Sequence, residues 1–247
     1  MTDLAVTVSY SLSALGLLAG VGVVLAMMRS SRVDSDRGKF AWLLVIPSFA
    51  GLSYVLMTLN IGIVEVGDTE VYLFRYLDWL VTTPLLVGYV GYVAGAPRKW
   101  IAAVAGADAL MIAVGLGATL ATGIATWVGF AVSGGFHVVL LGVLYLVFPR
   151  FARENRERYR LFKILQNHVG LLWLAYPVLW IASPAGFEYI SAVGTAMIIA
   201  YIDLVAKTPY VYFVYSERAC FAVDPVSADD AETDRTIDTD EMTVADD

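Results

Sequence analysis

The chain has 247 residues, of which 59% are hydrophobic and 16% are charged, and its mean hydropathy is +0.70. A water-soluble domain of this length could not bury so much apolar surface, so the composition excludes a soluble protein and indicates membrane-spanning helices. The net charge of -7 arises after residue 223, where ten acidic residues and one arginine occur, while the remainder carries 13 acidic and 15 basic residues. Residues 1–218 are therefore predicted to form one membrane domain, and residues 219–247 an acidic, disordered cytoplasmic tail.

Seven apolar stretches, here named spans A to G, follow one another along the chain. Their approximate bounds are residues 4–28, 40–64, 71–94, 100–119, 124–148, 164–181 and 190–215. Lysine and arginine are concentrated after spans A, C and E, and the connections after spans B, D and F contain none. Because basic residues mark cytoplasmic connections, the N-terminus is predicted to be extracellular and the C-terminus cytoplasmic. The predicted fold class is an all-α membrane protein, a seven-transmembrane helix bundle.

The sequence does not indicate an enzyme. It contains no nucleotide-binding loop, zinc pattern or nucleophilic triad in a suitable context. Cys220 is the single cysteine, which excludes an internal disulfide, and no other candidate metal ligands surround it. The sequence therefore predicts neither a metal site nor a nucleic-acid partner.

Two ionisable residues interrupt span G. Asp203 and Lys207 are four residues apart, on one face of a helix, where an isolated charge costs several kcal/mol. Lys207 could be a lysine that reaches the membrane boundary, or the partner of a structural ion pair with Asp203. The apolar run continues through Tyr215, however, which places the amine well inside the segment. This position favours a lysine whose amine is masked by covalent attachment to a carbonyl cofactor.

Span C carries the charges that would balance span G. Arg75, Asp78 and Thr82 recur at i, i+3 and i+7, which places them on one helical face. With Asp203 and protonated Lys207 they make a neutral set, which can be buried where four unpaired charges could not. We therefore expect spans C and G to face each other with these residues converging. The alternative is a purely structural charge cluster that holds the bundle together.

Aromatic residues form a stripe on span F. Trp173, Tyr176, Pro177 and Trp180 share one face, and Trp79 on span C adds a further ring. Alone, such a stripe is more often packing than a cofactor site. Beside a buried lysine, flat rings on both sides would suit a long, rigid, conjugated molecule. A kink or hinge is expected near Pro177 because proline removes a helical hydrogen bond.

These segments resemble a known family. RYLDWLVTTPLL from Arg75, WLAYPVLW from Trp173 and IDLVAK from Ile202 are similar to the signature segments of the microbial rhodopsins in helices C, F and G. The resemblance implies all-trans retinal bound as a protonated Schiff base on Lys207, which light isomerises to 13-cis. It also implies Asp78 and Asp203 as the counterion pair, Arg75 on its extracellular side and Tyr54 close by. The implied retinal pocket consists of Trp79, Thr83, Met111, Gly115, Phe130, Ser133, Trp173, Tyr176, Pro177, Trp180 and Ala206.

The resemblance also bears on sensing and pumping. Tyr89 lies eleven residues after Asp78, about 16 Å further toward the cytoplasm on the same face. In the proton-pumping members this position holds a carboxylic acid that returns a proton, and tyrosine, with a reference pKa of about 10, is a poor donor. Ala185 and Thr195 take the positions of the two glutamates that release protons in pumps. These differences, and the likeness to the sensory rhodopsin I group, predict a phototaxis photoreceptor. A light-driven proton pump with a slow photocycle is the main alternative, and a retinal-free carrier is a third.

Three further polar residues lie in the spans. His168, close to Trp173, is either a packing residue or, by the resemblance, one that influences proton transfer and signalling. His137 is placed near the retinal ring, where it would tune colour or bind chloride or another anion. Asp108 is expected to be a protonated, hydrogen-bonded structural acid.

A receptor of this size contains no output domain, so it needs a partner. The resemblance implies a two-helix membrane transducer that packs against helices F and G in a 2:2 complex, in the cell membrane. Tyr210, Tyr212 and Tyr215 on span G are the candidate contact surface, although lipid-facing aromatics would look the same. The basic loop, residues 149–163, either contacts the transducer or sets the topology.

Overall fold

The computed structural model describes residues 3–29, 37–67, 69–154 and 156–221. Nine α-helices occur within these residues. They are α1 (Leu4–Arg29), α2 (Arg37–Thr58), α3 (Leu73–Val93), α4 (Arg98–Leu120), α5 (Ile124–Gly142), α6 (Phe148–Ala152), α7 (Arg156–Trp173), α8 (Ala175–Ala182) and α9 (Ala192–Ser216). The tail was predicted to begin at residue 219, but residues 219–221 belong to a 3₁₀ helix, Arg218–Phe221; from position 222 onward the predicted tail lies outside the described residues.

These helices make seven rods. A π-helical turn, Val143–Val147, joins α5 to α6, and α7 is separated from α8 by Leu174 alone. Pro177 has no N–H for the carbonyl of Trp173, which explains an interruption three residues before the proline. Six rods are long and apolar enough to span a membrane, and α3 is the seventh. The lower hydropathy of α3 follows from its charged and hydroxyl side chains, among them Arg75, Asp78 and Thr82.

Two connections differ from the sequence prediction. Span B was expected to continue to residue 64, but α2 ends at Thr58 and the chain forms an antiparallel hairpin of β1 (Ile63–Val66) and β2 (Thr69–Tyr72). The basic loop expected at residues 149–163 is also wrong, because α6 and α7 cover most of it. The helices continue through these charged residues beyond the apolar region, and hydropathy alone does not indicate where such a helix ends.

The helices pack in chain order around a ring that α9 closes. Each of α1 to α4 contacts the next helix in the chain, α9 packs on α1 and α7, and α7 also contacts α3. One apolar core fills the cytoplasmic half and includes Phe40, Phe148 and Phe162. A smaller one fills the extracellular half around Tyr10 and Tyr54. The buried charged residues of α3 and α9 lie between these two cores.

Candidate functional site

The centre of the bundle contains a buried ion pair between α3 and α9. The Lys207 ammonium donates to Oδ2 of Asp78, and the two residues are 1% and 0% exposed. The single hydroxyl proton of Thr82, one turn further along α3, is shared between Oδ1 of Asp78 at 3.1 Å and its backbone carbonyl oxygen at 2.8 Å. Both carboxylate oxygens of Asp78 are therefore occupied. The predicted convergence of α3 and α9 is present for this pair.

Asp203 has different partners from those of Lys207. Tyr54 donates to Oδ2 at 2.6 Å, Tyr176 donates to Oδ1 at 2.6 Å, and the Trp79 indole N–H lies 3.0 and 3.1 Å from the two oxygens. These donors come from α2, α8 and α3, so the carboxylate of α9 connects four helices. A structural ion pair between Lys207 and Asp203 was one alternative from the sequence, and Asp78 takes that place instead.

Arg75 lies apart from the carboxylates. Its guanidinium donates to the Tyr10 hydroxyl at 2.5 Å and lies over the rings of Tyr10 and Tyr72, 5.7 and 5.6 Å from their centroids. Among the described residues, no carboxylate forms an ion pair with it within 4.0 Å. The four charges therefore do not form one cluster. Arg75 is directed toward the extracellular core, where aromatic faces stabilise its charge.

A cavity of about 510 Å³ lies beside the donors that bind Asp203. Two of its wall residues, Trp79 and Tyr176, are those that bind Asp203. Most of the pocket expected from the sequence lines it, whereas Ala206 and Lys207 are not part of the lining. The residues predicted from the sequence that line the cavity are Trp79, Thr83, Met111, Gly115, Phe130, Ser133, His137, Trp173, Tyr176, Pro177 and Trp180.

Aromatic rings shape this cavity. Trp180 stacks on Phe130 with centroids 4.1 Å apart and planes at 9°, and Trp79 packs edge to face on Tyr176 at 5.1 Å. Pockets of about 300–1,000 Å³ with such walls suit largely apolar ligands. An apolar, elongated molecule with a carbonyl end fits this arrangement, because the aromatic wall residues Trp79 and Tyr176 bind Asp203, and the Lys207 amine lies one turn further along the same helix.

Polar groups are sparse around the cavity. The Thr83 hydroxyl donates to Oδ2 of Asp108 at 2.5 Å and ties α3 to α4, and Ser133 donates to the Met111 carbonyl at 2.9 Å. Asp108 is fully buried, and its other oxygen has no hydrogen-bond partner in the structure. Nε2 of His137 is likewise buried and has no hydrogen-bond partner among the described residues.

The cytoplasmic side of the ion pair is apolar and aromatic. Tyr89 is fully buried, and its hydroxyl has no hydrogen-bond partner in the structure. Its ring packs against those of Trp42, Tyr92 and Tyr210, with centroids 5.3 to 6.3 Å apart. His168 lies near this cluster, and its Nε2 is 3.2 Å from the Ala206 carbonyl. This contact connects α7 to the residue before Lys207.

The extracellular side contains features that the sequence did not indicate. The cavity extends outward to Ala185 and Thr195, and its rim includes the carboxylates of Asp3 and Glu70. Glu188, the single carboxylate between α8 and α9, is exposed. Sequence reasoning also missed Tyr10 and Tyr72 as partners of Arg75. Tyr10 is 65 residues from Arg75 in the chain, which gives no periodic signal, and Tyr72 is three residues before Arg75 but belongs to β2 and not to α3.

The tyrosines proposed as one contact surface on α9 do not share a face. Tyr210 is completely buried and its hydroxyl donates to the Leu86 carbonyl at 3.0 Å, whereas Tyr212 is 54% exposed. Tyr215 is partly exposed. The prediction is wrong for Tyr210 because two residues turn a helix by about 200°, so Tyr210 and Tyr212 point in nearly opposite directions.

Comparisons with known proteins agree with this geometry. A family model described as bacteriorhodopsin-like protein matches residues 5–219. The sequence is 49% identical to sensory rhodopsin-1 of Halobacterium sp. strain SG1 over 234 residues, 95% of this chain and 94% of that protein. It is also 49% identical to sensory rhodopsin I of Haloarcula marismortui over 218 residues, 88% of this chain and 92% of that protein.

Proteins with lower sequence identity to this chain have the same fold. The crystal structure of a light-driven proton pump from Coccomyxa subellipsoidea matches with a TM-score of 0.80 at 27% identity, over 87% of this chain and 97% of that one. Because a pump has the same architecture, the fold does not distinguish sensing from pumping. That distinction has to come from individual residues and from the closer relatives.

Proposed function

The chain belongs to the bacteriorhodopsin-like family, and we propose that within it the protein is a light-sensing receptor for phototaxis. It is a multi-pass membrane protein, and its chromophore is retinal, as membership of the family implies. Relatives that are about 49% identical over most of the chain are named sensory rhodopsins, which supports a receptor over a pump. The steps below assign roles to individual residues of this chain.

Lys207 would hold retinal through its side-chain nitrogen, with the cavity beside Trp79 and Tyr176 receiving the polyene. Held there, all-trans retinal would supply the absorption of visible light and the isomerisation to 13-cis. The support for this assignment is chemical: Lys207 is a fully buried lysine, and the adjoining cavity has aromatic walls. Asp78 and Asp203 would balance the positive charge on the Lys207 nitrogen.

Asp78 is the residue that we assign to accept a proton from the Lys207 nitrogen. Its Oδ2 already accepts a hydrogen bond from that nitrogen, so transfer needs no large movement. Thr82 would hold the carboxylate in place through Oδ1. Asp203, with three donors around it, would remain in position as the second counterion.

The observation that favours a sensor over a pump is the environment of Tyr89. Among the described residues of spans A to G, the carboxylic acids are Asp78, Asp203 and Asp108, and Asp108 is held by Thr83 at the wall of the cavity. The residue aligned with the pumps' donor is a tyrosine within an aromatic cluster. Return of a proton to the Lys207 nitrogen would therefore be slow, and the light-activated state would persist. A long-lived state suits signalling and limits the turnover of a pump.

The signal would pass to a membrane transducer. We propose a two-helix transducer in a 2:2 complex that contacts α7 and α9, with the exposed Tyr212 in the interface and the buried Tyr210 outside it. His168, which bridges α7 to the carbonyl of Ala206, is positioned to couple the Lys207 region to this face. We also propose that His137, with its buried and unpartnered Nε2, binds chloride or another anion beside the cavity.

Flash photolysis of the retinal-reconstituted protein in lipid at high salt tests the sensor. Recovery of the visible band is expected to be far slower than milliseconds at neutral pH, and to change when a transducer is added. Recovery within milliseconds, with a sustained light-driven pH change in vesicles, would favour the pump. Lys207→Ala is the control for the chromophore and should abolish the visible band. If the wild-type protein itself forms no visible band with retinal, both the receptor and the pump are excluded.

A further inference from the structure

Thr119, near the extracellular end of α4, bonds to three other groups at once. Its Oγ1 lies 3.0 Å from the Gly115 carbonyl oxygen, 2.8 Å from the Tyr76 hydroxyl and 3.3 Å from Nε1 of Trp180. Tyr76 belongs to α3 and Trp180 to α8. One hydroxyl therefore connects three helices at the wall of the cavity.

The directions of these hydrogen bonds follow from what each group can do. A carbonyl only accepts, so the single hydroxyl proton of Thr119 is donated to Gly115. An indole N–H only donates, so Trp180 donates to Thr119. With its proton used, Thr119 can only accept from Tyr76. One proton and two lone pairs are thereby all engaged, which makes the hydroxyl a saturated junction.

The two donors at this junction control opposite aromatic walls. Tyr76 packs edge to face against Trp79, with centroids 5.4 Å apart, and Trp79 in turn donates to Asp203. Trp180 carries the ring that stacks on Phe130. Movement of the Thr119 hydroxyl would therefore release Trp180 directly and Trp79 through Tyr76.

We propose that Thr119 is a positioning residue of the chromophore pocket, which fixes the Trp79 and Trp180 walls relative to each other. This inference rests on the proposed function in so far as retinal occupies the cavity. Thr119 acts through Trp180 and Tyr76 and is not itself assigned to the proton-transfer path. Only serine or threonine supplies one proton and two lone pairs at this distance, so the role depends on the hydroxyl and not on side-chain volume.

The test compares Thr119→Val, which keeps the shape, with Thr119→Ser, which keeps the hydroxyl. In the retinal-free protein, exchange of the Trp180 indole proton, assigned with Trp180→Phe, is expected to become about tenfold faster in T119V because that donor loses its acceptor. In the reconstituted protein, the visible band of T119V should be broader and should bleach in hydroxylamine several-fold faster in the dark. T119S should match the wild type in both measurements.

Thr126→Val is the matched control, because the Thr126 side chain is buried and its hydroxyl donates to the Ala121 carbonyl, next to its own helix. It should change neither readout. Unchanged indole exchange in T119V would overturn the junction itself, and faster exchange without faster bleaching would overturn its positioning role. A wild-type protein that forms no visible band would defeat the proposed function instead, while the retinal-free measurement would still decide whether the junction exists.

Discussion

Lys207 and Asp78 form a fully buried ion pair although they lie 129 residues apart in the chain. Asp203 is one turn from Lys207 on the same helix, yet its oxygens are taken by tyrosine and tryptophan donors. The two carboxylates are therefore inequivalent: one bonds directly to the amine, and the other is fixed by neutral donors. This difference predicts distinct results when each is replaced.

Asp78→Asn should abolish light-driven proton transfer from the Lys207 nitrogen. The amide keeps the size of the side chain but is a far weaker base than a carboxylate, so the light-induced deprotonation signal should fall by more than about a hundredfold. Time-resolved absorbance of the reconstituted protein checks this. Thr82→Val, which removes only a supporting hydrogen bond, should leave most of the signal. A normal signal in D78N would show that another group accepts the proton.

Asp203→Asn should lower the stability of the fold, and it should affect proton transfer from the Lys207 nitrogen less than Asp78→Asn does. An amide offers one acceptor oxygen to the Tyr54, Tyr176 and Trp79 donors, so at least one buried donor loses its partner. We expect the free energy of unfolding to fall by about 1–3 kcal/mol. Equilibrium unfolding in mixed micelles, followed by circular dichroism, measures it. Tyr54→Phe in the D203N background should recover part of the loss, since it removes one of the stranded donors.

Tyr89→Asp should speed recovery from the light-activated state. The new carboxylic acid would stand where the pumps of the family carry their donor, and general acid catalysis typically contributes about 10²–10⁴-fold. Flash photolysis at neutral pH gives the rate. Tyr89→Phe removes the hydroxyl without adding an acid, so it should leave recovery as slow as in the wild type. If Y89F accelerates recovery as much as Y89D does, loosened packing and not proton supply sets the rate.

Helical periodicity carried much of the prediction. The i, i+3 and i+7 spacing of Arg75, Asp78 and Thr82 placed them on one face, and the need for neutrality brought α3 against α9. Whether Lys207 pairs with Asp78 or with Asp203 depends on the distance between α3 and α9. No local pattern in the sequence gives that distance. The outward position of Arg75 depends likewise on Tyr10, which lies on a different helix.

Errors arose where local signals were short or absent. The hairpin strands β1 and β2 have four residues each, too few for alternation to stand out beside an apolar helix. The π-helical turn in Val143–Val147 has no sequence signature that we recognise. Tyr210 was assigned to the surface from composition, whereas its rotational position relative to Lys207 would have placed it toward the core.

Gln166→Leu should destabilise the contact between α7 and the π-helical turn. Gln166 is fully buried, its Nε2 donates to the Leu144 carbonyl at 2.7 Å, and its Oε1 accepts from Lys163 at 2.6 Å. Leucine would leave the buried carbonyl unpaired, which should lower the free energy of unfolding by about 1–3 kcal/mol. Asn167→Leu, at the exposed neighbouring position, is the control and should be nearly neutral. Equal effects of the two variants would argue against a structural role for this bond.

The reactivity of Cys220 should report on the cytoplasmic end of the fold. Cys220 follows α9 in a 3₁₀ helix (Arg218–Phe221), and burial raises the pKa of its thiol to about 11, partly offset by the nearby Arg158 guanidinium. Because the thiolate is the nucleophile, iodoacetamide should modify the folded protein at pH 8 about a hundredfold more slowly than an unfolded thiol of pKa 9.0. The rate should rise about tenfold per pH unit until the pH nears 11.

The sign of this shift also predicts how stability depends on pH. A thiol whose pKa is raised on folding favours the folded state fully below the unfolded pKa, and this contribution is lost as the pH rises from about 9 to about 11. Stability measured across that window should therefore decline less in Cys220→Ser than in the wild type. Cys220→Ser also provides the blank for alkylation, since the chain contains one cysteine. Equal alkylation rates for the folded and detergent-unfolded wild type at pH 8 would mean that the 3₁₀ helix does not stay packed on the bundle.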